Sequence, residues 1–307
     1  VTTLSYPVSR RSPRRLGAFV LRMFRPRVYA TYGVLWALAL EGSAVGSGWA
    51  PSWRTAVRAG TLVLILLFLR MADEQKDLGY DRVHHPDRPL VTGAISVAEL
   101  RAAMAAIALL VAVANAPVSR WSAPLALAAP GYAVLLALLE RHSARLRDGQ
   151  LLNLAVTYPV QVIAGAYVYL SLADGGTIAA GWRAVPLLLV FAGAFLHFEF
   201  ARKTERDTAP GRRTYASTVL GPAGSGLAAL LAAAVAAAAA LVLFRPWSLT
   251  GGDAVAAWLP YAALVLPALG GWQFFARRRA TWPVLPAMGF IVVFYLALII
   301  QALAQPK

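Results

Sequence analysis

Apolar stretches of about 20 residues recur along the whole of this chain, and that is the length a helix needs to cross a bilayer. Nine spans are predicted, roughly at 28–48, 57–73, 96–116, 122–140, 152–172, 182–201, 223–244, 255–274 and 284–304. The fold class that follows is all-α, a polytopic membrane protein of nine transmembrane helices. Composition agrees. Of the 307 residues 59% are hydrophobic and 14% charged, where a soluble domain carries about a quarter charged. Residues 1–27 read as a basic N-terminal segment with an interfacial helix around Leu16–Phe24, and 28–307 as the nine-helix domain. The long basic region makes a poor signal peptide, and cleavage near Ala44 would leave the class unchanged. The fourth and seventh spans are Ala-rich, which favours close packing. The seventh, Ala223–Leu243, reads as a scaffold or lipid-facing helix. The absence of Cys excludes disulfides, thiol catalysis and Cys-based metal sites.

A net charge of +15 raises the question of nucleic acid, but the arginines cluster in short loops between apolar runs. The N-terminal segment and the connections after spans 2, 4, 6 and 8 hold 23 of the 29 Lys and Arg residues. The other side holds Arg54, Arg58, Arg120, Arg183, Arg245 and Lys307. By the positive-inside rule the N-terminus and the even-numbered loops are cytoplasmic and the C-terminus is outside, in a prokaryotic cytoplasmic membrane. No nucleic acid and no obligate protein partner is expected.

Two polar stretches interrupt this pattern on the basic side. Ala72–Gly93 holds five of the fourteen acidic residues. On a helix, Glu74, Asp77 and Asp81 would share one face within about 60° of arc, with Asp73 beside them. Such a stripe repels itself unless cations bridge it to something anionic. The second stretch, His197–Tyr215, spaces Glu199, Lys203 and Asp207 by four, about 80° of arc if helical, with Arg202, Arg206, Arg212 and Arg213 close by. The loop after span 4 adds Glu140, Arg141, Arg145, Arg147 and Asp148. Carboxylates with Arg and Lys at the mouth of a helical bundle suit a diphosphate held through Mg²⁺ and clamped by guanidinium and ammonium groups. An allylic chain leaving that diphosphate has carbocation character and needs a dry, aromatic-lined pocket. Aromatics within the spans include Tyr32, Trp36, Tyr158, Tyr167, Phe195, Phe198, Trp272, Phe290 and Tyr295.

These residues resemble the UbiA superfamily of intramembrane prenyltransferases. Its first signature, N-D-x-x-D-x-x-x-D followed by Arg-Pro and a small-residue turn, is matched by Asp73 at the Asn position, then Glu74, Asp77 and Asp81, then Arg88-Pro89-Leu90 and Gly93. Arg25-Pro26 before span 1 resembles the family's start. In the second signature Glu199 and Asp207 resemble carboxylates, Lys203 replaces another, and Thr214-Tyr215 and Leu220-Gly221 resemble the downstream elements. The resemblance implies a bundle around a central cavity that opens to the cytoplasm and bilayer. It implies Mg²⁺ held by Asp73, Glu74, Asp77, Asp81, Glu199 and Asp207, with Asp77 essential and Lys203, Arg141 and Arg88 clamping the diphosphate. The Lys replacement implies less dependence on a second Mg²⁺, or another phosphorylated donor. Tyr158 and Gln161 would orient the diphosphate or an acceptor.

The expected partners are an isoprenyl diphosphate donor, a hydrophobic or aromatic acceptor, and the bilayer. The same resemblance leaves open terpene cyclisation and phosphoribosyl transfer to a polyprenyl phosphate, and a lipid-binding or transport protein is the non-enzyme alternative. Each polar set also has a plainer reading. The first is a solvated helix end and the second a salt-bridged helix exit, while Arg141, Arg145 and Arg147 are topogenic charges. His84 and His85 are interfacial loop residues, and His197 makes a core hydrogen bond or acts as a base. Asn153, like Tyr158 and Gln161, makes structural hydrogen bonds.

Overall fold

The computed structural model describes residues 13–207, 214, 215 and 218–304. A short amphipathic segment, α1 (Pro13–Phe19) with a π turn over Val20–Phe24, precedes the first span. It occupies the place of the interfacial helix expected at Leu16–Phe24 and buries Phe19 and Phe24. Arg25, in the left-handed region at φ 48°, redirects the chain into α2 (Pro26–Val45). Pro at the first position of α2 suits a helix start, because the missing N–H would be unpaired there anyway.

Span 2 is α3 (Trp53–Lys76), opened by a Ser52/Thr55 capping box and followed by the short α4 (Leu78–His84). Then come α5 (Val97–Asn115), which has a Ser96/Glu99 capping box, and α6 (Ser122–His142). The short α7 (Ala144–Asp148) links α6 to the fifth span, which is made of α8 (Gln150–Thr157) and α9 (Pro159–Asp174). The remaining helices are α10 (Ala184–Arg202), α11 (Gly221–Phe244), α12 (Gly251–Ala262), α13 (Val265–Phe275) and α14 (Val284–Ala304). Among the described residues nine helical segments are long and apolar enough to cross a membrane.

The fifth and eighth spans are each broken, which the apolar run lengths did not show. Pro159 and Pro267 lack the N–H that would bond four residues back, and their rings crowd the carbonyl there. The backbone tightens to Gln161 N–Tyr158 O (3.0 Å) in one case and Leu266 N–Ala263 O (3.0 Å) in the other. The first break aims Tyr158 inwards.

The Ala-rich α11 is a scaffold on its inner face. Ala229, Ala232, Ala233, Ala236 and Ala240 are buried, while Leu227, Leu231 and Val235 point outward. Small side chains let α11 approach α10 closely. A Cβ added at Gly193 of α10 would lie 2.7 Å from the Ala232 carbonyl oxygen and 2.8 Å from the Ala236 nitrogen. Since backbone cannot give way as a flexible side chain would, Gly193→Ala is expected to destabilise by about 1–3 kcal/mol. An unchanged thermal midpoint in detergent would contradict this packing.

At the end of the bundle opposite the basic loops, Arg58 lies buried within α3. It is 2% exposed, pairs with Glu41 of α2 at 3.0 Å and donates to Ser171 Oγ at 2.8 Å. Thr55 Oγ1 donates to the other Glu41 oxygen at 2.6 Å. Beside this pair, Asn115 joins Thr61 (2.8 Å), Ser122 (3.1 Å) and Tyr167 (2.7 Å). These groups tie α2, α3, α5, α6 and α9 together.

Candidate active site

The first acidic stretch is not one helical stripe. Helix α3 carries Asp73 and Glu74 to its last turn and ends at Asp77, which has φ −87° and ψ 5° and joins α3 to α4. Asp81 then sits in the first turn of α4. What brings Glu74 and Asp81 together is therefore not helical period but Arg88, from the loop beyond. Its Nη1 lies 3.3 Å from Glu74 Oε1 and also donates to Asp81 Oδ2. Arg70, one turn before Glu74, donates to the same Oε1 at 2.5 Å.

Both carboxylates are buried, Glu74 at 1% and Asp81 at 2% exposure. Their second oxygens, Glu74 Oε2 and Asp81 Oδ1, are buried with no hydrogen-bond partner among the described residues. An orphaned buried carboxylate oxygen is unfavourable, and a cation would relieve it. Burial pushes the Asp81 carboxyl above its usual range, against the pull of Arg88. Asp73 is exposed, and Asp77 is half-buried without serving as a side-chain cap for α4.

Loop 85–96 is held in place by the N-terminal helix. Arg15 donates to the Gly93 and Ala94 carbonyls, each at 2.8 Å, and Arg22 pairs with Asp87 at 2.8 Å. His84 stacks on Tyr80 with ring centroids 4.2 Å apart, and His85 is exposed, as interfacial loop residues would be.

The second stretch also departs from a single helix. Helix α10 stops at Arg202, with Lys203 as its C-cap. The chain beyond is drawn off by the loop between α13 and α14: Glu205 bridges Thr281, Arg206 N donates to the Ala280 carbonyl at 2.7 Å, and Trp282 N donates to the Thr204 carbonyl at 3.0 Å. Asp207 follows this bridge and is exposed, so it does not share a helical face with Glu199. Arg212 and Arg213 lie outside the described residues.

Glu199 is 7% exposed and both its oxygens are engaged. Arg202 Nε and Nη2 each lie 2.6 Å from Oε2. Lys203 Nζ lies 2.8 Å and the Tyr215 hydroxyl 3.1 Å from Oε1. Burial and the neighbouring Glu199 push the Tyr215 phenol above its usual range, so it stays protonated and donates. The ends of α3 and α10 lie at the same, basic end of the bundle, where Lys203 acts electrostatically on Asp73.

A third wall comes from α6 and α8. Arg141 is exposed at the end of α6, while its neighbour Glu140 turns inward. Glu140 Oε1 accepts from Asn153 at 2.8 Å and lies 3.4 Å from Lys76 Nζ. Lys76 is in turn 3.9 Å from Asp73. From the sequence alone Arg70 and Lys76 have no role, and Glu140 sits in the loop after span 4 rather than turned inward. An acidic residue at the end of an apolar span, followed by Asn at the next helix start, was the available signal.

Above the charged groups lies an aromatic cluster. Tyr32 is 5.7 Å from Trp36, 5.8 Å from Phe195 and 6.2 Å from Tyr295 by ring centroids. Phe195 continues to Tyr158 at 6.3 Å and Phe198 at 6.4 Å. Gln161 Nε2 donates to the Tyr32 hydroxyl at 2.6 Å, and the Tyr158 hydroxyl donates to the Ala192 carbonyl. Three of the aromatics named from sequence lie elsewhere. Tyr167 belongs to the Asn115 network, Trp272 is half exposed beneath Arg277, and Phe290 packs on His197. His197 is fully buried, and its Nδ1 is 2.8 Å from the Ala229 carbonyl, the core hydrogen bond foreseen as one of its two readings.

No family model matches the chain, and no curated protein matches it. Solved structures do. The apo structure of a UbiA homolog from Aeropyrum pernix K1 aligns at 19% identity and TM-score 0.57, over 90% of this chain and 96% of that one. A UbiA homolog from Archaeoglobus fulgidus bound to GPP and Mg²⁺ aligns at 14% identity and TM-score 0.62, over 93% and 99%. A digeranylgeranylglyceryl phosphate synthase aligns at 14% identity and TM-score 0.59, over 94% and 99%. With nine apolar helices, an inward-turned set of charged helix ends and this full-length correspondence, the chain has the intramembrane helical fold of the UbiA homologs.

Proposed function

We propose that the protein is a membrane prenyltransferase that moves a prenyl group from an allylic isoprenyl diphosphate to an apolar or aromatic acceptor. The observation that carries this reading is the pair of orphaned, buried oxygens on Glu74 and Asp81, at the end of the bundle that also carries Lys203. No group of three or more converged His, Asp or Glu side chains that could hold a metal ion is present among the described residues. Here Arg88 and Arg70 hold the carboxylates apart from such a cluster. The orphaned oxygens of Glu74 and Asp81, with Asp73 and Asp77, are nonetheless the hard donors that Mg²⁺ takes, and they fit it in chemistry and charge. Bound there, Mg²⁺ supplies neutralisation of the diphosphate as a leaving group. The A. fulgidus homolog, which binds GPP and Mg²⁺, supports the same reading.

The chain's own groups account for the rest. Arg70 and Arg88 fix Glu74 and Asp81 in place. Lys76 and Lys203 offer ammonium groups to diphosphate oxygens, and Arg202 holds Glu199 so that Lys203 stays positioned. The allylic C–O bond breaks with its electron pair leaving on the diphosphate, the acceptor forms the new bond, and the acceptor then loses a proton. The faces of Tyr32, Phe195 and Tyr158 favour the cationic allyl group and exclude water from it. The Gln161–Tyr32 pair gives an otherwise apolar wall one polar handle with which to orient an acceptor. The basic end that carries these groups is placed in the cytoplasm by the arginine count.

Purified protein incubated with a panel of short and long allylic diphosphates, Mg²⁺ and membrane extract is expected to give a prenylated product by mass spectrometry. Chelation by EDTA should reduce turnover to background, and added Mg²⁺ should restore it. A cyclic hydrocarbon formed from the diphosphate alone, with no acceptor consumed, would replace transfer by cyclisation.

A further inference from the structure

We infer that the site takes a single divalent cation with its diphosphate, and that the Lys203 ammonium supplies the charge on the Glu199 side directly. The inference rests on the function proposed above and concerns how the two walls divide the work. On the α3–α4 wall, Arg70 and Arg88 engage one oxygen of Glu74 and Arg88 one of Asp81, while the second oxygen of each is buried without a partner among the described residues. That wall needs a cation before it can approach an anion.

The α10 wall differs. Glu199 carries one negative charge against two fixed positive ones. Its Oε2 is covered by two nitrogens of Arg202, and its Oε1 by Lys203 and Tyr215. A metal ion at Glu199 would have to displace a guanidinium or an ammonium and would then sit beside it, which like-charge repulsion opposes.

Lys203 is also held in place. It caps α10, its carbonyl accepts from Tyr215 N at 3.3 Å, and its Nζ lies 4.9 Å from the Tyr215 ring centre. The ammonium has three donors; Glu199 Oε1 lies 2.8 Å from it and the Tyr215 hydroxyl accepts a second at 3.5 Å, which leaves one. The side chain is 31% exposed, so the remaining donor is open to a ligand. Glu199, Arg202 and Tyr215 are thus positioning residues for Lys203, which is the group that would touch the diphosphate.

The test counts ions rather than turnover. The full chain in detergent is saturated with Mn²⁺ and dimethylallyl S-thiolodiphosphate, an unreactive donor analogue, and bound Mn²⁺ is read by electron paramagnetic resonance. One Mn²⁺ per chain is expected. Lys203→Gln should weaken binding of the analogue about ten- to hundredfold, as loss of a hydrogen bond to a charged group does, with the Mn²⁺ count unchanged. Lys203→Asp, which opens Glu199 and adds a carboxylate, should raise the count to two. Two Mn²⁺ in the unaltered protein, or unchanged affinity in a folded Lys203→Gln variant, would each overturn the inference and leave the transferase reading standing; bound analogue with no Mn²⁺ would overturn the inference together with the Mg²⁺ dependence proposed above. Failure of the unaltered, folded protein to bind the analogue at all would overturn both.

Discussion

Asp77→Ala is expected to lower kcat/KM by at least about a thousandfold, equivalent to roughly 4 kcal/mol of transition-state stabilisation. Replacing Asp77 should disturb the fold less than replacing Glu74 or Asp81. Asp77 sits at the joint between α3 and α4, it does not cap α4 through its side chain, and it is half-buried rather than enclosed. Glu74 and Asp81 differ, because each holds Arg88 in a buried site. Replacing either leaves a partly buried guanidinium short of its counter-charge, so lost activity there would mix catalysis with stability. The measurement is turnover of an allylic diphosphate by purified Asp77→Ala protein beside its thermal unfolding curve. Full activity in a normally folded variant would remove Asp77 from the mechanism.

The largest effect on stability alone is expected at the other end of the bundle. Glu41→Leu leaves Arg58 buried without its carboxylate partner, and breaking a buried pair from one side costs about 3–5 kcal/mol. The double variant Glu41→Leu/Arg58→Met removes the charge from both sides and should recover most of that loss, since apolar groups of similar size need no desolvation. Thermal or denaturant unfolding in detergent reads both. If the double variant is as unstable as the single one, the ion pair is not the source of the effect and the neighbouring Thr55 and Ser171 hydrogen bonds are.

Arg58 also shows where reading a membrane sequence by charge is limited. The charge count sets it among six basic residues on the side opposite the basic loops, at the very start of predicted span 2. Helix α3 begins four residues earlier, at Trp53, so Arg58 lies a turn inside the helix. There it faces Glu41, 17 positions earlier in the chain. Only packing of α2 on α3 could reveal the match. The count survives because its asymmetry is large.

The acidic stretches teach the same point at the site itself. The carboxylates and the Arg-Pro that follows them were legible from composition and spacing, because five acidic residues at the end of an apolar run have no place in lipid. Their geometry was read as helical period, and it is not. A joint at Asp77 and a helix end at Lys203 interrupt both stripes, and arginines from elsewhere set the positions of the carboxylates. Asp207 drops away because the α13–α14 loop pairs with the chain just before it. Glu140 enters because Asn153, in the first turn of α8, reaches back to it.

The amino-acid sequence by itself determined the number of spans, the basic end of the bundle and the two stretches that meet there. Each follows from the cost of exposing polar groups to lipid, which acts residue by residue along a chain. The tertiary structure decided the partners of each charge. Arg88 spans Glu74 and Asp81, Lys203 and Arg202 consume Glu199, Tyr158 turns inward at a proline break, and Arg58 finds Glu41. A buried charge is stabilised by whatever opposite charge packing brings within about 4 Å, and that distance is unrelated to separation along the sequence.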